Sequence, residues 1–232
     1  MAIAFDASTD GGTATATSFT WSHTNTGSNL ILFVGLLSQA DPGLITGITY
    51  AAAAMDAVNE IVPQANETIY LFLKMAPASG ANNVVASASS SVTMYGDSTS
   101  YTGAAQTDQP DAQFAETEVT ATKTTSVTTI ADNCWLTGFA RNGAMAAGTA
   151  TTMRAGINNT VGAMDSNGAK SPAGSYSLQT TQTSASTGHC IASFAPAAAA
   201  TAIKTVNGLA VASVKTVEGL AIASVKTFNG LA

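Results

Sequence analysis

Charge is what this chain has least of. Only 9% of its 232 residues are Asp, Glu, Lys or Arg, against about a quarter in an ordinary soluble domain. Arginine occurs twice, at Arg141 and Arg154, and there is no basic run. Residues 1–200 hold thirteen acids against five bases, a net −8. Phosphate backbones are held by clustered Lys and Arg, so this balance excludes nucleic-acid binding. Long apolar runs are missing as well. No window approaches eighteen uninterrupted apolar residues, so no membrane-spanning helix or membrane insertion is expected. The start, Met1-Ala2-Ile3-Ala4-Phe5-Asp6, lacks the basic and apolar regions of a secretory signal, which points to synthesis in a cytosol.

Metal-binding and nucleophilic side chains are scarce. The two histidines, His23 and His189, and two cysteines, Cys134 and Cys190, contain no C-x₂-C pair, and a structural zinc site asks for four ligands with close spacing. His189 and Cys190 are sequence neighbours, so on a strand they point to opposite faces and do not form a nucleophile–base pair. Both histidines read as structural. The cysteines permit one disulfide or remain two buried thiols, the latter being favoured.

The acids offer little more. Asp108 with Asp111, Glu116 with Glu118, and the isolated Asp132 and Asp165 are the candidates for a hydrolytic carboxylate pair. Glu116 and Glu118 share a face but lie in a Thr-rich pattern that reads as a solvated strand. Calcium would find its best oxygens at Asp6-Ala7-Ser8-Thr9-Asp10 and Asp165-Ser166-Asn167, without enough ligands to assign a metal. Neither Asp10-Gly11-Gly12 nor Gly162 has the strand-to-helix setting of a phosphate cradle. The five tyrosines (Tyr50, Tyr70, Tyr95, Tyr101 and Tyr176) either include a sugar-stacking platform or pack in a core, the commoner fate of strand aromatics. No cofactor and no enzymatic activity follow from these residues.

What is present is strand after strand. Leu30–Leu37 and Thr68–Met75 are continuous apolar runs of strand length, the pattern of strands buried on both faces. Cys134–Ala140 and His189–Ala195 are two more. Thr13–Trp21, Ile45–Tyr50, Met55–Val62, Asn83–Met94 and Thr99–Ala104 read as further strands, and Glu118–Val127 as one exposed antiparallel strand. Ala51–Ala54 admits a short helix without caps. Strands at this spacing, without amphipathic helices, give an all-β class: an antiparallel jelly roll or β-sandwich over residues 1–195. An Ala-rich linker follows over 196–202.

The end of the chain repeats itself. Ile203-Lys204-Thr205-Val206-Asn207-Gly208-Leu209-Ala210-Val211-Ala212-Ser213 is followed by Val214-Lys215-Thr216-Val217-Glu218-Gly219-Leu220-Ala221-Ile222-Ala223-Ser224, then by the truncated Val225-Lys226-Thr227-Phe228-Asn229-Gly230-Leu231-Ala232. Fixed-period units of this kind cannot bury their apolar faces alone. Residues 203–232 therefore read as an assembly segment that joins like chains, a trimer being the expected homo-oligomer. Val206, Leu209, Val211, Val214, Val217, Leu220, Ile222, Val225, Phe228 and Leu231 are the self-association residues. Each unit reads as a hairpin turning at Asn-Gly, or as three helical turns with Val214, Val217, Ala221 and Val225 on one stripe. The glycines and β-branched residues favour the hairpin. Lys204, Lys215 and Lys226 read as outward charges, and with Glu218 they give this tail a net +2.

Several stretches carry a family likeness. Phe5-Asp6, Trp21-Ser22-His23-Thr24, Asn29-Leu30-Ile31-Leu32-Phe33-Val34, Ile48-Thr49-Tyr50, Tyr101-Thr102-Gly103, Asp132-Asn133-Cys134-Trp135-Leu136 and Ile191-Ala192-Ser193-Phe194-Ala195-Pro196 resemble phage and prophage virion structural proteins with jelly-roll-like domains. The Asn-Gly-Leu-Ala repeats resemble tails appended to phage fibres and other virion surface proteins. The resemblance implies a non-enzymatic virion component: a head fibre, decoration or tail-fibre-like subunit at the particle surface, made in the host cytoplasm. It implies contacts with its own copies, with other virion proteins and with a host-surface glycan. Two other readings stay open: a carbohydrate-binding module or adhesin, and an extracellular filament subunit assembled by strand donation.

Overall fold

The computed structural model describes residues 1–143, 145–157, 160–181 and 184–198, and in the tail the pairs 205–206, 209–210, 216–217 and 220–221. The chain divides into two compact units, Met1–Ala198 and Ala199–Ala232. The first unit is all-β, with antiparallel sheets forming a sandwich that approaches a barrel. No helix of the described residues is long and apolar enough to cross a membrane.

Strands β1 (Ala4–Asn25), β2 (Ile31–Ser38), β3 (Ile45–Tyr50), β4 (Ala53–Ala54), β5 (Asp56–Gln64), β6 (Glu67–Met75) and β7 (Gly80–Thr102) build the first sheet. Its path runs β4-β3-β7-β2-β6-β5, with β1 on the other edge of β7. The 23-residue β7 organises this sheet. Its first half pairs with β3, its second half with β2, and nearly its whole length with β1. The next strands are β8 (Ala112–Val119), β9 (Thr122–Thr128), β10 (Trp135–Gly143), β11 (Ala146–Ala147), β12 (Thr152–Ile157), β13 (Val161–Asp165), β14 (Ser175–Thr181) and β15 (Ser184–Phe194). They form a second sheet, β12-β13-β10-β15-β8, and a third, β11-β14-β9.

Three apolar cores separate these layers, and they explain the four continuous runs. On β2, Ile31, Phe33 and Leu37 enter the core between the first and second sheets, together with Ile69, Leu71 and Leu73 of β6. The alternate residues Leu32, Val34 and Leu36, with Tyr70 and Phe72, enter a second core inside the curl of the first sheet, closed by Phe19, Trp21, Ile48 and Val84. Likewise β10 and β15 send Phe139, Cys190 and Phe194 one way and Leu136, Ala140 and Ile191 the other, into a third core with Val127 and Leu178. A strand between two cores has no polar face, so its period-two signal disappears.

The structure corrects several element boundaries. β1 starts at Ala4 and β7 runs on to Thr102, because bulges absorb the polar stretches instead of ending the strands. Glu118–Val127 is not one strand: β8 and β9 belong to different sheets and the chain crosses between them at Thr120-Ala121. Ala51–Ala54 is not a helix. Ala51 and Ala52 take φ of 50° and 63° in a tight turn, and Tyr50 pairs with Ala53, the geometry of a type I′ hairpin loop. The Gly- and Ser-rich section from Arg141 to Gly188 also contains β12, β13 and β14. Pro196 and Ala197, the first linker residues, are fixed to the body through an Ala104–Pro196 bridge and Ala197 N–H donating to the Gly103 carbonyl at 2.7 Å.

Candidate functional site

The histidines are bound up in packing. His23 is buried, with Nδ1 3.0 Å from the hydroxyls of Thr9 and Ser98 and Nε2 3.0 Å from Ser100 Oγ. Trp21 Nε1 donates to Ser98 Oγ and Ser100 Oγ donates to Asp6. Ser100 Oγ thus accepts a hydrogen bond from the Nε2–H of a neutral imidazole. Burial lowers this imidazole to about 4, against a smaller opposing effect of Asp6. His189 is held the same way, Nδ1 by Thr125 Oγ1 at 3.1 Å and Nε2 by Thr180 Oγ1 at 2.8 Å. Burial first, and then the Lys123 ammonium, lower it to about 3. Cys190 points from the other face of β15 into the first core, as period-two geometry requires.

Both cysteines are free thiols. Phe139 stands opposite Cys190 and Trp135 opposite Phe194, which places Cys134 five residues along from the position facing Cys190. At ~3.3 Å per residue this is roughly 16 Å, beyond the ~7 Å limit for a disulfide. Burial, ahead of Asp111, pushes the Cys134 thiol up to about 12.

The carboxylates are similarly committed. Asp6–Asp10 is strand, not a loop: Asp6 accepts from Thr26 N–H and Oγ1, and Asp10 from Gly12 N–H. Asp165 is buried and accepts from Arg154 Nε at 2.7 Å, Tyr101 Oη at 3.1 Å and Asn167 N–H. The Arg154 guanidinium also lies 4.1 Å from the Phe5 ring centroid. A carboxylate already neutralised by arginine is a poor cation ligand. Asp111 accepts from Ile130 N–H, Ala131 N–H and Ser193 Oγ, and Asp132 from Ala173 N–H. Glu116 and Glu118 are half exposed, not a freely solvated face, because both reach the fully buried Lys123 at 2.9 and 3.4 Å. No group of three potential metal ligands occurs among the described residues. Tyr50, Tyr70 and Tyr101 are buried in the cores.

One opening interrupts the first sheet. The path of the first sheet curls but ends at β3–β4 on one side and β5 on the other. A cleft of about 280 Å³ lies at this seam, lined by Ile45 and Gly47 of β3, Asn59 and Glu60 of β5, and Tyr70 and Phe72 of β6. The Tyr70 hydroxyl is buried beneath the cleft, beside Thr68 and the Gly43 backbone. Asn59 Oδ1 is buried without a partner, while its Nδ2 donates to the Phe114 and Ile191 carbonyls. The seam therefore offers an apolar floor with the exposed Glu60 at its rim. These residues are not legible as a site in the sequence, since β3 and β5 meet only through the curl.

In the tail, β16 (Thr205–Val206) pairs with β17 (Leu209–Ala210) and β18 (Thr216–Val217) with β19 (Leu220–Ala221). Val206 stands opposite Leu209 and Val217 opposite Leu220, with two residues between the partners in both copies. These four belong to the expected self-association set. Val211, Val214, Ile222, Val225, Phe228 and Leu231 lie outside the described residues, as do Lys204, Lys215 and Lys226. No family model, curated protein or solved structure matches the chain.

Proposed function

We propose that this chain is a non-enzymatic structural protein of a virion, a head-fibre, decoration or tail-fibre-like subunit that displays its β-sandwich at the particle surface and joins copies of itself through the terminal repeats. The observation that carries this reading is the recurrence of one antiparallel pair, Thr-Val against Leu-Ala, at the same offset in successive eleven-residue units. Such a unit buries almost nothing by itself, so it gains stability by stacking on like units. The engaged hydrogen-bonding atoms of His23, His189, Asp111 and Asp165 support a structural role for the body. The virion itself rests on the family resemblance of the strand motifs.

Electron microscopy of native particles, with antibody against the body, tests this. Labelled projections or lattice points on a particle support the reading, and antigen found only as free soluble protein contradicts it. A second reading, the filament subunit assembled by strand donation, draws support from the open seam of the first sheet. The carbohydrate-binding reading draws less, because three of its five tyrosines, Tyr50, Tyr70 and Tyr101, are buried. A saccharide-dependent rise in melting temperature would revive it.

A further inference from the structure

We infer that Lys123 and Glu116 are a self-modification site: the folded chain joins them by an amide bond, with Glu118 moving the protons, and so ties its second and third sheets covalently. The geometry is set by strand alternation. On β9, Lys123, Thr125 and Val127 point inward, and the Lys123 side chain has no exposed surface. Its Nζ lies 2.9 Å from Glu116 Oε2 and 3.4 Å from Glu118 Oε2. Those two acids are in phase on β8, opposite His189 and Thr187 of β15. Thr180, opposite Lys123 on β14, and Thr125 hold the two ring nitrogens of His189. The imidazole is thereby occupied, and the carboxylates face the amine on their own.

The chemistry needs no further reagent. At 2.9 Å from an oxygen of Glu116, Nζ is near attack distance from its Cδ, roughly 3–3.5 Å. Glu118 takes a proton from the ammonium, and the freed amine adds to the Glu116 carboxyl carbon. The N–C bond forms, one C–O bond breaks, and one Glu116 oxygen leaves as water. Of the three ammonium protons, two depart in that water by way of Glu118 and one stays on the amide nitrogen. Glu118 ends as the carboxylate it began as, the net charge is unchanged and nothing is oxidised or reduced. In bulk water such a pair favours hydrolysis. Held groups react at effective molarities of roughly 10⁵–10⁸ M, and a neutral amide replaces an ammonium that burial has stripped of solvent. Glu116 and Glu118 are half exposed, which gives the released water a way out.

The test is the mass of the full chain under denaturing conditions, and it is independent of the repeats. The expected mass is one water below that of the sequence. Trypsin is expected to leave Lys123 uncut, so that the deficit stays in the fragment 75–141 and fragmentation places it on Glu116 and Lys123. Lys123→Met should restore the mass of its own sequence. Glu118→Gln, which keeps the shape but carries no proton, should slow the linkage roughly a hundredfold or more. A wild-type chain with its full sequence mass, cut normally at Lys123, would overturn the assignment and leave an ordinary ion pair. A deficit that survives Lys123→Met would overturn it as well, by locating the lost water elsewhere.

Discussion

At the scale of single residues, three buried titratable groups set the pH dependence of stability. His23 and His189 are lowered from 6.5 to about 4 and about 3 in the fold. The unfolded chain therefore binds protons first, and their contribution is complete above pH 6.5 and is lost as pH falls toward 4 and 3. Asp97 acts in the opposite sense. Burial, and then Asp10, raise its carboxyl from 3.8 to about 8, while its Oδ2 accepts from Ala163 N–H and its Oδ1 has no acceptor or donor partner. Its contribution is complete below pH 3.8 and is lost as pH rises toward 8. Each group changes stability by up to ~1.4 kcal/mol per pH unit within its window. Two histidines outweigh one aspartate between pH 4 and 6.5, and Asp97 acts alone from 6.5 to 8. Urea unfolding across this range should show maximum stability near pH 6.5. Asp97→Asn should flatten the alkaline limb, and an unaltered limb would show that Asp97 is not its origin.

Single residues are legible in the sequence where their chemistry is local and illegible where it depends on the partner sheet. That His189 and Cys190 face opposite ways follows from strand periodicity alone. Lys123 did not reveal itself as buried, although it is in phase with Thr125 and Val127 on β9, whose shared face lies against the second sheet. Nothing local shows that Glu116 and Glu118, from the strand before, come back to meet its ammonium.

At the scale of elements, the doubly buried strands were the most legible part of the fold, since only a strand between two cores can omit polar residues on both faces. Gly35 shows how closely these layers meet. A Cβ there would come within 2.1 Å of the Phe139 ring from the second sheet. Gly35→Ala is therefore expected to destabilise by about 1–3 kcal/mol through overpacking, read as a lower urea midpoint, and no change would mean that the sheets separate easily. The turn at Ala51-Ala52 was illegible because alanine has no preference for positive φ. Each L-residue there costs roughly 1–2 kcal/mol, and Asn-Gly suits both positions. Ala51→Asn with Ala52→Gly should raise the melting temperature by several degrees, while a fall would contradict the hairpin at β3–β4. The break between β8 and β9 was hidden for a related reason: the Thr and Val alternation runs through Thr120-Ala121 without Gly, Pro, Asn or Asp.

At the scale of the whole molecule, the sequence divides its labour unevenly. The acidic body spends its polar side chains on internal hydrogen bonds, and the basic repeats carry apolar residues that a short hairpin alone cannot bury. The repeats were plain in the sequence because eleven-residue self-similarity survives any fold, whereas the seam required the curl of the first sheet to exist. The proposed role of the repeats is to hold chains together. Sedimentation velocity on the full chain, beside a full-length variant with Val206, Val217 and Phe228 changed to Asp, tests it most directly. A discrete oligomer is expected, three chains for a trimer, that falls to one chain in the variant without loss of the body's melting transition. A single-chain mass for the unaltered protein over a hundredfold range of concentration, or an oligomer untouched by the three substitutions, would contradict it.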